Sequence, residues 1–124
     1  MSANRYTAAF QYCYEHFQEC LECRDLQNYT LLNELIENYI LDFDLTAKRA
    51  IGNHSSRYRL FQLRYLKGLE RQECCKLLGL ETFSYASEII QVERSVGQAL
   101  VQRGLFPLNS YFHSAKLQPC QIAA

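Results

Sequence analysis

Proline and glycine are scarce in this chain of 124 residues: two prolines, Pro107 and Pro119, and five glycines. Proline breaks helices and glycine commonly ends them. With no proline before residue 107, nearly all of the chain up to residue 104 is free to be helical. Long apolar runs are lacking too. None approaches the ~18 residues that cross a bilayer, and the N-terminal MSANRYTAAFQYCYEHF lacks the apolar core of a signal peptide. A cytoplasmic protein without a membrane partner is therefore expected, with its six cysteines as reduced thiols.

The sequence also lacks the signatures of catalysis. It has no P-loop, no GxSxG and no glycine-rich phosphate cradle. Its three histidines, His16, His54 and His113, are scattered. Asp42 and Asp44 are two residues apart, so on a helix they face different sides. Neither an enzyme nor a cofactor is expected.

What is present is an ordinary globular composition, 48% hydrophobic and 21% charged, at the usual length of a single domain. The net charge of zero hides an asymmetry. Residues 1–46 hold two basic and eight acidic side chains, a net of −6; residues 47–124 hold eleven basic and five acidic, a net of +6. The basic part is suited to a polyanion and the acidic part to solvent or protein, unless the two simply attract each other.

The apolar spacing predicts a first helix over 3–25, through Tyr6, Phe10, Cys13, Phe17, Cys20 and Leu21. A second is predicted over 30–43, capped by Thr30, with Leu35, Ile36, Tyr39, Ile40 and Phe43 on one face. Residues 44–51 either extend it or form a separate turn ending at Gly52. Ser55 or Ser56 can cap a third helix over 57–67, stopped at Gly68. A fourth follows over 70–78, stopped by Gly79, and a fifth over 84–103, stopped by Gly104. The expected layout is 1–52 as an acidic, aromatic-rich hairpin, 53–112 as a helix-turn-helix unit and 113–124 as a flexible tail, with LFPLNSYF packing back on the body. The aromatic side chains of the first half exceed what one hairpin needs; they suit either the common core or a homodimer interface.

Cys13, His16, Cys20 and Cys23 have the look of a metal set, C-x2-H-x3-C-x2-C. On one continuous helix, however, residues 13 and 23 are about 15 Å apart. Four such ligands cannot converge on a zinc at about 2.0–2.3 Å, and cysteine is commonly a small buried hydrophobe. Cys74 and Cys75 are read in the same way, as packing.

The pattern with most information is a short helix, a turn at glycine and a longer helix. Cys75 supplies a small side chain four residues before the turn, Gly79 tolerates positive φ, Leu80 anchors the turn, and Tyr85, Ile89 and Val92 bury one face of the next helix. In FQLRYLKGLERQECCKLLGL, the order Leu63-Arg64, Gly68, Glu73, Cys74, Cys75, Leu78 and Gly79 resembles region 4 of bacterial sigma factors and the small phage or bacterial transcription regulators built on it. Ser84 falls near the start of what would be the recognition helix. The resemblance covers residues 57–100. It implies a DNA-binding module that lays its last helix in the major groove of double-stranded DNA, hence a regulator of transcription; with the helical spacing of the whole chain, the expected fold is all-α, the N-terminal hairpin packed on this helix-turn-helix.

On that reading Thr82, Ser84, Ala86, Ser87, Glu88 and Gln91 face the bases. Arg57, Arg59, Arg64, Lys67, Arg71, Lys76 and Arg94 hold phosphates. The family's reading face is rich in arginine, whereas the helix over 84–103 is neutral, with Arg94 and Arg103 against Glu88 and Glu93. Its weak charge keeps open a second reading, an adapter that engages RNA polymerase or another regulator through protein contacts.

Overall fold

The computed structural model describes residues 2–25 and 32–106, and every regular element among them is helical. The helices are α1 (Ser2–Asp25), α2 (Leu32–Ile51), α3 (Ser55–Phe61), α4 (Arg71–Leu78) and α5 (Thr82–Gln102). A π-helical turn, Gln62–Leu66, follows directly on α3.

Each boundary has a local cause. Helix α2 carries Glu34 in its first turn and Lys48 and Arg49 in its last, the signs that suit a helix dipole. It runs unbroken to Ile51, so residues 44–51 extend it. The expected cap Thr30 lies outside the described residues. Helix α3 begins at Ser55 behind His54 in extended conformation, so neither serine is the cap. The single helix expected over 57–67 is instead α3 plus the π-turn, where the Lys67 N–H reaches the Gln62 carbonyl at 2.9 Å. Helix α4 starts with Glu73 accepting the Glu70 N–H at 3.2 Å, as in a capping box. It stops at Gly79, whose φ of 67° is left-handed.

Helices α1, α2 and α5 form the body. Phe10 meets Phe43 and His16 meets Tyr39, so α1 and α2 run antiparallel. The Tyr39 hydroxyl ties them by donating to the Cys13 carbonyl at 3.3 Å. Helix α5 lies along α1 in the same direction: Gly97 sits against Tyr6, and the Cys13 thiol points to the Leu105 carbonyl. Arg103, directly after α5, reaches Asp42 of α2 at 3.1 Å, one direct link between the basic and acidic parts.

Part of the aromatic surplus of the first half lies inside, while Tyr6 and Tyr14 are half-buried and Tyr12 is 44% exposed. Phe10, Phe17, Tyr39 and Phe43 are buried, and Phe17 stacks on Phe43 at 4.5 Å. Phe61 and Tyr65 extend this cluster toward α3 and the π-turn, with Tyr65 edge-on to Phe10 at 4.9 Å. Burial of each such ring stabilises the fold by ~1.5–3 kcal/mol. After Gly104 the chain turns back. Leu105 is buried and Phe106 packs edge-on to Tyr12 at 5.2 Å. The remaining tail lies outside the described residues.

Cys13, His16, Cys20 and Cys23 lie on the unbroken α1 and all four are buried. Burial raises the thiol of Cys13 to about 11 and that of Cys20 to about 12. Among the described residues no group of three histidines, cysteines or carboxylates could hold a metal. Cys13, Cys20, Cys74 and Cys75 are free thiols. Cys23 is disulfide-bonded, which corrects the expectation of six reduced cysteines. No helix among the described residues is long and apolar enough to cross a membrane.

Candidate functional site

Helix α4, the turn at 79–81 and the first half of α5 make one outward corner of the molecule. The turn is built by the backbone: the N–H groups of Gly79 and Leu80 both bond to the Cys75 carbonyl, the second at 3.0 Å. The bond from Leu80 is the six-to-one contact of a Schellman ending. Cys74 is fully buried and Cys75 half-buried, so the first cysteine of the pair is the deeper packing residue.

Beneath this corner lies a polar layer. Tyr65, on the π-turn, donates its hydroxyl to Glu93 of α5. Its carbonyl accepts the Tyr14 hydroxyl at 2.9 Å. Burial, followed by the bond to Glu93, pushes the Tyr65 hydroxyl far above the ordinary tyrosine range. Arg64 lies over the Tyr65 ring at 5.6 Å, and its positive charge acts on the Tyr85 hydroxyl. The π-turn thus orients two adjacent residues, 64 and 65, onto α5, binding the base of the corner to the body.

The expected base-facing residues divide between two faces of α5. Thr82, Ala86 and Ser87 are exposed, whereas Ser84, Glu88 and Gln91 are half-buried. Glu88 forms an ion pair with Arg57 of α3 at 2.6 Å, so these two charges face each other across α3 and α5. The fully outward stripe of α5 also includes two residues the sequence reading did not select, Phe83 at 81% exposure and Ile90 at 53%. Leu77 of α4 is 62% exposed. The signal for the stripe was available in the helical step of about 100° per residue. Opposite the buried Tyr85, Val92 and Val96 stand 83, 87, 90 and 94, while 84 and 88 flank the buried side.

The expected phosphate-holding residues divide as well. Arg59, Lys67, Arg71, Lys76 and Arg94 are exposed. Arg57 is paired, and Arg64 is half-buried against the two tyrosines. Elsewhere, α2 exposes Leu41 and Leu45 beside Asn38 and Asp42 around a shallow groove of about 310 Å³.

Comparison with known proteins finds no family model, no curated protein and no solved structure that matches this chain.

Proposed function

We propose that the protein is a DNA-binding regulator of transcription, in which α4 and α5 act as a helix-turn-helix of the sigma-region-4 type set on the N-terminal hairpin. The observation that carries this reading is the corner itself. An eight-residue helix ends on left-handed Gly79, and the next helix buries Tyr85, Val92 and Val96 while turning 82, 83, 86, 87, 90 and 94 to solvent. That is the arrangement in which a helix can enter a major groove while its partner crosses the backbone. The exposed cations Arg71 and Lys76 on α4 and Arg94 on α5 supply charge for phosphates, with Arg59 and Lys67 near the ends of α3 and the π-turn.

Two observations favour the second reading, a protein-binding adapter. The outward stripe exposes the apolar Phe83, Ala86 and Ile90, and the acidic part exposes Leu41 and Leu45 on α2. Exposed apolar patches commonly mark protein contacts.

Binding to duplex DNA fragments, followed by fluorescence anisotropy across a salt series, separates the two. A DNA binder loses affinity with a log-log slope of about 0.9 per phosphate contact. Arg71→Ala and Lys76→Ala each reduce that slope by about one contact. No binding at low salt to any duplex would leave the adapter reading in its place.

A further inference from the structure

We infer that the outward stripe of α5 reads thymine methyl groups, so that the DNA selected is a short run of A·T pairs read in the major groove. This rests on the DNA-binding reading above. Phe83, Ala86 and Ile90 recur at three- and four-residue spacing on one side of α5, with Thr82 and Ser87 beside them. None of these five carries a charge, an amide or a guanidinium. The bidentate pairings that select guanine or adenine through Arg, Lys, Asn or Gln have no counterpart among these five; the one guanidinium of the outward face, Arg94, stands beyond Ile90 and is assigned to phosphate. Of the base-edge groups in the major groove, the thymine C5-methyl is the apolar one. Apolar side chains set against the donors and acceptors of G·C pairs would strip water from them without replacing the hydrogen bonds. The same side chains set against methyls bury apolar surface on both partners.

The dimensions agree. Phe83 and Ile90 are seven residues apart, about 10.5 Å along a helix, which is about three base-pair steps at 3.4 Å. The charges agree as well. Arg94 continues the stripe one turn beyond Ile90, and Arg71 and Lys76 are exposed on the helix before it. An apolar strip accompanied by cations matches a groove whose floor carries methyls and whose walls carry phosphates. Thr82 and Ser87 add hydroxyls that accept or donate to either base.

The test uses the full chain and a random duplex DNA pool. Fragments retained by the protein are sequenced, and the enriched site is then made twice, once with thymine and once with deoxyuridine, which lacks only the methyl. The expected result is enrichment of a run of about three A·T pairs. The deoxyuridine version should bind about fourfold more weakly for each methyl removed, taking each as one buried carbon. Phe83→Ala should shrink the deoxyuridine penalty while leaving thermal unfolding unchanged, because this ring is 81% exposed. Equal binding of the two versions, enrichment of G·C runs, or an unchanged penalty in Phe83→Ala would overturn the methyl assignment and leave DNA binding intact. No retention of any duplex at low salt would overturn both. Sedimentation showing concentration-dependent dimers, abolished by Phe83→Ala, would then give the stripe to a second copy of the chain.

Discussion

Replacing Gly97 with alanine is the sharpest test of how this molecule is put together. Gly97 lies in the second half of α5 and is buried against α1. A Cβ placed there would stand 1.9 Å from the Tyr6 carbonyl oxygen, 2.8 Å from its carbon and 3.3 Å from its Cα. All three atoms are backbone, so no rotamer change relieves the clash. Only a separation of α1 from α5 does, by more than 1 Å to reach ordinary contact near 3.4 Å. Such a shift loosens the packing of Phe10, Cys13, Val96 and Leu100, all fully buried. Overpacking costs ~1–3 kcal/mol and occasionally more, and a clash with immovable backbone belongs at the upper end or beyond. Alanine returns ~1 kcal/mol through its better helix propensity. The expected net loss is about 2 kcal/mol or more, a fall in Tm of roughly 6 °C or more at this chain length. Urea and thermal unfolding followed by circular dichroism measure it, with Gln98→Ala on the exposed side as the control that should be neutral or slightly stabilising. If Gly97→Ala matched or exceeded the parent in stability, the close approach of α1 and α5 would be wrong.

Three further outcomes follow from particular groups. Gly79→Ala forces a Cβ into a left-handed conformation with φ of 67°; a loss of ~1–2 kcal/mol is expected in urea unfolding, with any DNA affinity falling alongside. Tyr65→Phe removes the donor to Glu93 and should destabilise by ~1–3 kcal/mol, whereas Tyr12→Phe, on a half-exposed ring, should not. Burial lifts Cys20 from 9.0 to about 12. Both states keep this thiol protonated below pH 9, so its neutral form there gives no pH dependence; above pH 9 the unfolded chain ionises first. Stability should then fall with rising pH toward 12, by up to ~1.4 kcal/mol per pH unit for this group, and Cys20→Ala should flatten that slope.

Much of this architecture is legible in the sequence, for reasons that are local. The scarcity of proline leaves helices as the default, and three glycines, Gly68, Gly79 and Gly104, adopt positive φ where stops were expected. Periodicity also identifies the inward face of α5: of Tyr85, Ile89 and Val92, the first and last are buried and Ile89 is half-buried. What escapes is non-local. Nothing around Ser95-Val96-Gly97 announces that the glycine admits the backbone of a helix some ninety residues earlier in the chain. The Arg57–Glu88 pair and the Tyr65–Glu93 bond join residues 31 and 28 positions apart, and they decide which charges remain outward. The outward stripe itself could have been read, because Phe83 and Ile90 stand opposite the buried positions. Their polar neighbours Ser84, Glu88 and Gln91 are instead turned partly inward by the helix.

Helix α5 performs two tasks along one uninterrupted rod of 21 residues. Its first half presents the outward stripe, and its second half is the wall against which α1 and α2 pack. The corner is therefore not a detachable cassette. Cutting the chain ahead of α3 would strip Val92, Val96, Gly97 and Leu100 of their cover, and grafting α4 and α5 onto a foreign scaffold would require rebuilding that cover around them. Substitutions in the acidic hairpin that shift α1 or α2 would likewise shift this rod, and with it the stripe, without altering a single residue in it.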